Sequence, residues 1–432
     1  MTPRAAARAI FDAALQAADV RPLVLRALDA VELPSRGRVI VLGAGKASGA
    51  MAAAVEEALG ERVSGGVVAV KDGHLAATRR VRLLEAGHPL PDERGAAAAR
   101  EIFALARSAG ADDLVLVLIS GGGSALTPAP VPPITLADKQ AVTRLLLAAG
   151  ATINQLNTVR KHLSLLKGGQ LARAAAPARV HALVLSDVIG DPIDVIASGP
   201  TAPDGSTFAA ALAILERFGI RARVSASIVD RLERGTAGKI AETPKRDDPL
   251  FRRVTNTVIG NNALVVDAAT ARAAPLGFHP HVLTRSLEGE ACLVARDWVE
   301  LARRIKAGRG PVSPPACVIA GGETTVTIRG RGTGGRCQEF ALATALEMEG
   351  LDDVVVLAAG TDGTDDPTGA AGALVDGATA GRARERGDDL VARLADNDSH
   401  AVFGGLGDLI VTGPTNTNLH DLYLLLVTPA AV

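Results

Sequence analysis

Aromatic side chains are scarce in this 432-residue sequence: one tryptophan, one tyrosine and eight phenylalanines, 2% of the chain. So few rings give no stacking platform for a base or a nucleic-acid strand. An excess of either charge is missing too, since 46 lysines and arginines face 47 aspartates and glutamates for a formal net charge of -1. A nucleic-acid binder would carry a basic stripe or surplus, so small molecules are the expected partners of a monomer or homodimer. Cysteine is limited to Cys292, Cys317 and Cys337. None of them forms a CxxC pair or a zinc-clamping spacing, and all three read as reduced thiols of a cytoplasmic protein. No apolar run approaches the ~20 residues that a membrane helix needs; strand-like runs such as 114–119 are far shorter. The first residues lack the unbroken apolar stretch of a secretory signal. They are rich enough in Arg and Ala to imitate a transit peptide, against which Asp12 and Asp19 speak. They read as an amphipathic helix with Ile10, Phe11, Ala14, Leu15 and Ala18 turned inward.

Core material is plentiful, because 48% of the residues are hydrophobic, most of them aliphatic. The length suits two α/β domains. One pattern recurs: a short aliphatic run, a Gly-rich or polar turn, then a helical segment. It is found at 38–46, 114–124, 180–191, 257–262, 318–325, 354–363 and 409–416. Unbroken apolar strands flanked by helices imply mostly parallel sheets covered on both faces. Ligands then bind beyond the strand C-termini, where all these turns would lie. Helices are predicted over 47–59, 94–106 and 136–149, with a longer one from 154 to about 174 that leaves Arg160 and Lys161 off its apolar face. The charged stretch 235–253, with Pro244 and Pro249, marks the boundary between an N-terminal Rossmann-like domain, 1–240, and a C-terminal α/β domain, 250–432.

Each turn carries candidate chemistry. The first, Gly43-Ala44-Gly45-Lys46-Ala47-Ser48-Gly49, fits neither a dinucleotide fingerprint, whose third glycine comes earlier, nor a Walker A loop. It leaves a Gly-flanked lysine at a strand-to-helix turn, where Lys46 either holds an anion or is an exposed lysine on a tight turn. Ser120-Gly121-Gly122-Gly123-Ser124 is a better phosphate cradle, because three glycines let backbone N–H groups approach an oxyanion closely. A serine-hydrolase elbow is a weak reading, because Leu126 stands where glycine is required. Asp187 and Asp191 end another strand and are candidate Mg²⁺ ligands. Asp362, Asp365 and Asp366 occupy a further Gly-rich loop. Phosphoryl transfer requires this equipment: metal-bridged phosphates, cations on the equatorial oxygens and a group that orients the nucleophile. Taken singly, each aspartate is more commonly a cap or turn residue; as a set at strand ends they point to this chemistry. Glu323 and Arg336 form a third cluster, with Arg336 able to clamp a carboxylate or phosphate in two-pronged fashion. Asn261 is a candidate nucleotide contact, Asn416 a candidate substrate contact, and His88 reads as a loop-ordering residue.

Taken in order, these segments resemble the glycerate 2-kinase family, whose C-terminal part is called the MOFRL domain. The resemblance rests on Gly43 to Ala47, Gly87-His88-Pro89-Leu90-Pro91-Asp92, Ser120 to Leu126, Asn154 to Lys161 and Ser186 to Asp191. It continues through Ala197 to Thr201, Gly321 to Val326, Gly360 to Gly363 and Gly413 to Asn418, and so spans nearly the whole chain. It implies ATP- and Mg²⁺-dependent phosphorylation of D-glycerate to 2-phosphoglycerate on two α/β domains around a deep cleft. In that reading Lys46 and Arg336 are the cationic residues of the cleft, and Asp187, Asp362 and Asn416 its polar and acidic ones. Lys46, Arg336 and Asp362 then act in catalysis. Gly43, Gly45, Ser120 to Ser124 and Asn261 hold ATP, Lys46, Glu323, Arg336 and Asn416 hold substrate, and Asp187 and Asp191 hold Mg²⁺. Cys337 stands where the family usually has Asn, and Asp366 where it has Gly. Relatives also carry the label hydroxypyruvate reductase, so an NAD(P)H-dependent reductase is the rival, and a non-catalytic sugar-acid sensor is the alternative from another class.

Overall fold

The computed structural model describes residues 1–429. The chain forms two compact units, one of residues 20–259 and one that joins residues 1–19 to 260–432.

The first unit is built on six strands: β1 (Val39–Ala44), β2 (Val63–Lys71), β3 (Val81–Ala86), β4 (Leu114–Ile119), β5 (Arg179–Leu185) and β6 (Val254–Gly260). They lie in the order β3-β2-β1-β4-β5-β6, and β1 is parallel to both of its neighbours. Every residue of β1 and of β4 is buried, as strands covered on both faces require. Over one face Ile40, Leu42, Val115, Val117 and Ile119 pack with Ala98, Ala99 and Ile102 of the helix Glu93–Arg107, which Asp92 caps through the Gly95 N–H at 2.9 Å. The chain fills one half of this sheet outward from β1 and the other outward from β4. The strand order therefore reverses between them, at the position where open α/β sheets bind ligands.

The crossovers around β5 carry additional helices. The predicted helix from 154 to about 174 is two helices, Ile153–His162 and Gln170–Ala175. Gly168 and Gly169 intervene at φ +59° and +78°, a left-handed conformation that cannot continue an α-helix. Leu156 and Val159 pack with Val142, Leu146, Phe208, Leu215 and Leu232 in a helical sub-core.

The second unit holds β7 (His279–Leu287), β8 (Ala316–Gly322), β9 (Val354–Gly360), β10 (Gly372–Asp376), β11 (Leu409–Ile410) and β12 (Asp421–Val427) in the order β11-β10-β9-β12-β8-β7. β7 runs parallel to β8, while β12 lies antiparallel between β8 and β9, and β10 is antiparallel to β9 and β11. The only tryptophan and the only tyrosine of the sequence meet in this core. Trp298 and Tyr423 each lie edge-on to Phe340, at 5.9 and 5.0 Å between centroids.

The division read from composition therefore shifts at both ends. Strand β6 follows the charged stretch yet completes the first sheet. The helix Pro3–Ala17 belongs to the second unit, where it packs on the helix Asn262–Ala273 and where Arg4 pairs with Asp376 and Asp408. A linker-like composition marks one crossing of the chain and gives no sign that an N-terminal helix joins a later unit.

Candidate active site

In the first unit the predicted glycine loops emerge side by side. Ala44 is level with Ile119 in the parallel register, so both loops leave the sheet at the switch point. Hydrogen bonds then lace them together. Lys46 N–H donates to Gly121 O at 2.9 Å, Ala47 N–H to Ser120 Oγ at 3.0 Å, and Ser120 N–H to Ala44 O at 3.2 Å. The Ser48 and Ser120 hydroxyls are 3.0 Å apart and buried. Gly45 is required at this seam: its φ is +150°, and a Cβ there would lie 2.0 Å from Ser120 Oγ. Gly122, at φ +83°, lies under the His88 ring and the Lys46 stem, 2.9 Å and 3.6 Å from where its Cβ would stand. Gly43, Gly45, Lys46 and Ser120 to Ser124 are thus one construction, with His88 against Gly122.

Ser124 belongs to a second layer that sequence reasoning did not identify. Its hydroxyl accepts from Arg160 Nη2 at 2.7 Å and lies 2.9 Å from Ser198 Oγ, which donates to Asn157 Oδ1 at 2.9 Å. The available sign was the helical spacing that left Arg160 on a polar face.

Asp187 and Asp191 follow β5, the strand next to β4. Both are half-buried, and Asp191 turns the chain at φ +55°. No three His, Cys, Asp or Glu side chains among the described residues gather closely enough to cage a metal. Two partly exposed carboxylates at a strand end instead fit the way Mg²⁺ is held, through one or two carboxylates plus substrate phosphates.

In the second unit the ends of β8 and β9 meet the start of β12, with Asp421 opposite both Gly322 and Gly360. This gathers Glu323, Arg336, Asp362 and Asn416 at one end of the sheet. Arg336 opens the helix Arg336–Glu347 and is held by Asp421, through Nε to Oδ2 at 2.6 Å and Nη2 to Oδ1 at 2.9 Å, while Nη1 reaches Glu323 at 2.5 Å. Burial works against its charge, but the bonds and charge of Asp421, aided by Glu323, outweigh that and hold the guanidinium well above its ordinary pKa. Asp421 was not foreseen, though a charge opening the otherwise apolar run Asp421–Val427 is its signal. Asp362 Oδ1 accepts from Thr364 N–H and Oγ1, both at 3.0 Å. Asp362 O accepts from Thr415 N–H at 3.3 Å, next to Asn416, which is exposed at φ +56°. Asn261 lies in this unit, and its Oδ1 caps the helix Asn262–Ala273 through Leu264 N–H at 3.3 Å.

Asp365 explains how a helix can begin with arginine. Its carboxyl accepts from the N–H groups of Cys337 and Gln338, at 3.1 and 2.9 Å, and from Gln338 Nε2 at 3.0 Å. It thereby supplies the acceptor that helix N-termini favour. Cys337 itself is fully buried. Burial first, and then the charges of Asp421 and Asp365, push its thiol well above its usual pKa, so it is a packed, inert group.

Residues 6–233 match the family described as a domain of unknown function, DUF4147, and residues 316–421 match the MOFRL family. A protein of Agrobacterium vitis with the provisional name hydroxypyruvate reductase is 44% identical over 99% of this chain and 95% of its own. The D-glycerate 2-kinase of Thermotoga maritima is 43% identical over 90% of this chain and 91% of its own. The crystal structure of glycerate kinase from Thermotoga maritima superposes with a TM-score of 0.90 at 40% identity, covering 98% of this chain and 99% of that one.

Proposed function

The chain belongs to the glycerate kinase family, and we propose from that premise that it transfers the terminal phosphate of ATP to the C2 hydroxyl of D-glycerate, giving 2-phosphoglycerate and ADP. The observation that carries this reading is the pair of interlaced glycine loops at the β1/β4 switch point, with Lys46 between them. Such a loop pair suits the phosphates of a nucleotide, and Lys46 there is a cation for the charge on the phosphoryl in transfer.

The reductase reading shares the strand order but not the chemistry. A dinucleotide site needs an acidic residue closing β2 to take the ribose hydroxyls; here Lys71 closes it, and Asp72 comes one residue late and is paired with Arg94.

In the second unit, Thr364 fixes the Asp362 carboxylate for orienting or deprotonating the C2 hydroxyl. Arg336 binds the glycerate carboxylate by exchanging its contact with Glu323, whose side chain is 44% exposed, while Asp421 keeps the guanidinium in place. Asn416 is a further substrate contact. Asp187 and Asp191 would hold Mg²⁺, which would supply charge neutralisation for the phosphates. No helix among the described residues is long and apolar enough to cross a membrane.

The test is ATP consumption with D-glycerate and Mg²⁺, with product read by enolase alone and again with phosphoglycerate mutase added. A signal with enolase alone is expected. A signal that needs the mutase moves the phosphate to another hydroxyl, and NAD(P)H oxidation with hydroxypyruvate in place of ATP turnover overturns the reading.

A further inference from the structure

Three cations converge on the short segment that follows the glycine triplet. Arg160 Nη2 donates to Ser124 Oγ at 2.7 Å and to Ser124 O at 3.4 Å. Lys167 Nζ donates to that same Ser124 O at 2.8 Å and to Thr127 O at 3.3 Å. Lys139 Nζ donates to Pro128 O. Lys139 and Lys167 are 6% and 1% exposed, and Arg160 and Ser124 are half-buried. No carboxylate among the described residues pairs with any of the three. The next residue shows that this is selective: Lys161 is matched by Asp204 at 3.2 Å and Asp194 at 3.4 Å. The cluster also reaches the other glycine loop, because a cavity of about 20 Å³, room for one water, is lined by Lys167, Thr127, Gly43 and Ala44.

Burying charge without a counter-ion is costly, and carbonyl dipoles recover only part of that cost. Burial lowers all three groups below their ordinary pKa, with the charge of Arg160 adding to the effect on both lysines. A cluster of this kind is cancelled when an anion arrives at its one partly open face, which is Arg160 and Ser124.

We propose that Arg160, backed by Lys139 and Lys167, forms an anion subsite that takes a phosphate of the nucleotide, with Arg160 its direct contact and the two lysines its buried source of positive potential. The inference rests on the kinase reading above and deepens it. Arg160 suits the role because a guanidinium can keep its bond to Ser124 Oγ with one edge and offer the other to phosphate oxygens.

The test uses the full-length protein and its Arg160→Gln, Arg160→Lys and Lys139→Met variants. ADP affinity is read by calorimetry, the ADP-induced rise in melting temperature by thermal unfolding, and KM for ATP and for D-glycerate separately. Arg160→Gln is expected to weaken ADP by about tenfold or more, the scale of a charged hydrogen bond. KM for ATP should rise with it, while KM for D-glycerate stays within about twofold. Arg160→Lys should recover part of the affinity, and Lys139→Met should weaken ADP without touching the contact residue. A folded Arg160→Gln protein that binds ADP as the parent does overturns the proposal, and so does a rise in KM for D-glycerate alone, which would make the subsite a carboxylate site. If Arg160→Gln does not fold, Arg160→Lys and Lys139→Met decide by the same ADP titration. ADP binding that depends on Arg160 in a protein with no glycerate turnover would sink the kinase reading and leave the subsite standing.

Discussion

Asp421 and Arg336 form a two-bonded pair at 2.6 and 2.9 Å in which the carboxylate is 1% exposed and the arginine side chain 34%. The partner that fixes the arginine is thus buried, while its other partner, Glu323, faces solvent.

Removing the buried half of such a pair costs far more than removing the exposed half. Asp421→Asn leaves the guanidinium without its main counter-charge and should lower unfolding stability by about 3 kcal/mol in urea titration. Glu323→Gln should change it by less than about 1 kcal/mol. Equal effects of the two variants would show that Arg336 finds its compensation elsewhere.

Asp365 sets a pH signature. Burial, with the charge of Asp421 adding, pushes its carboxyl up from the ordinary 3.8 to about 7, against the three donors that favour its ionised form. A folded-state value above the unfolded one means that the native protein holds the extra proton. Its stabilising contribution is therefore complete below about pH 4 and is lost as pH rises through about 7. Relative to Asp365→Asn, the parent should lose stability between about pH 4 and 7, by at most ~1.4 kcal/mol per pH unit. A difference between the two proteins that does not vary with pH would mean that Asp365 is ionised throughout.

Gly122 offers a local test of the cradle. At φ +83° an alanine is strained, and its Cβ would stand 2.9 Å from His88 Cδ2 and 3.0 Å from Nε2. Gly73 has nearly the same φ, +80°, but open space around it. Both alanine variants should lose about 1 kcal/mol to backbone strain. Only Gly122→Ala should also raise KM for ATP, and His88→Ala in the same chain should relieve that part of the defect. Parallel behaviour of the two glycines would show that His88 yields freely.

The strand-end loops were legible because each follows an apolar run too short for anything but a buried strand, as with 114–119 before Ser120. The helix from 154 was half legible: its apolar spacing is real, but Gly168 and Gly169 end it, and a pattern of period 3.6 does not register a left-handed turn. What stayed hidden depends on contacts far apart in sequence. Asp421 lies 85 residues from Arg336, and Arg160 lies 36 from Ser124. The antiparallel entry of β12 between β8 and β9 is likewise invisible, because an apolar strand buried on both faces reads the same in either direction.

The two proposed chemical residues each have a local bond that survives conservative change. Lys46 is anchored in the loop by its own N–H on Gly121 O at 2.9 Å, which any residue retains. Lys46→Met should therefore keep this loop bond and lose kcat by about 100-fold or more, the usual loss on removing one charge-stabilising contact from a transition state. Asp362→Asn keeps an Oδ1 that can accept from Thr364 N–H and Oγ1, so its loop should hold as well. An amide cannot take the hydroxyl proton, and kcat should fall by about 100-fold to 10,000-fold, the range for general-base removal, with KM for ATP little changed. If Asp362→Asn turns over at close to the parent rate, Asp362 serves only as a turn residue held by Thr364, and the C2 hydroxyl is deprotonated by another group.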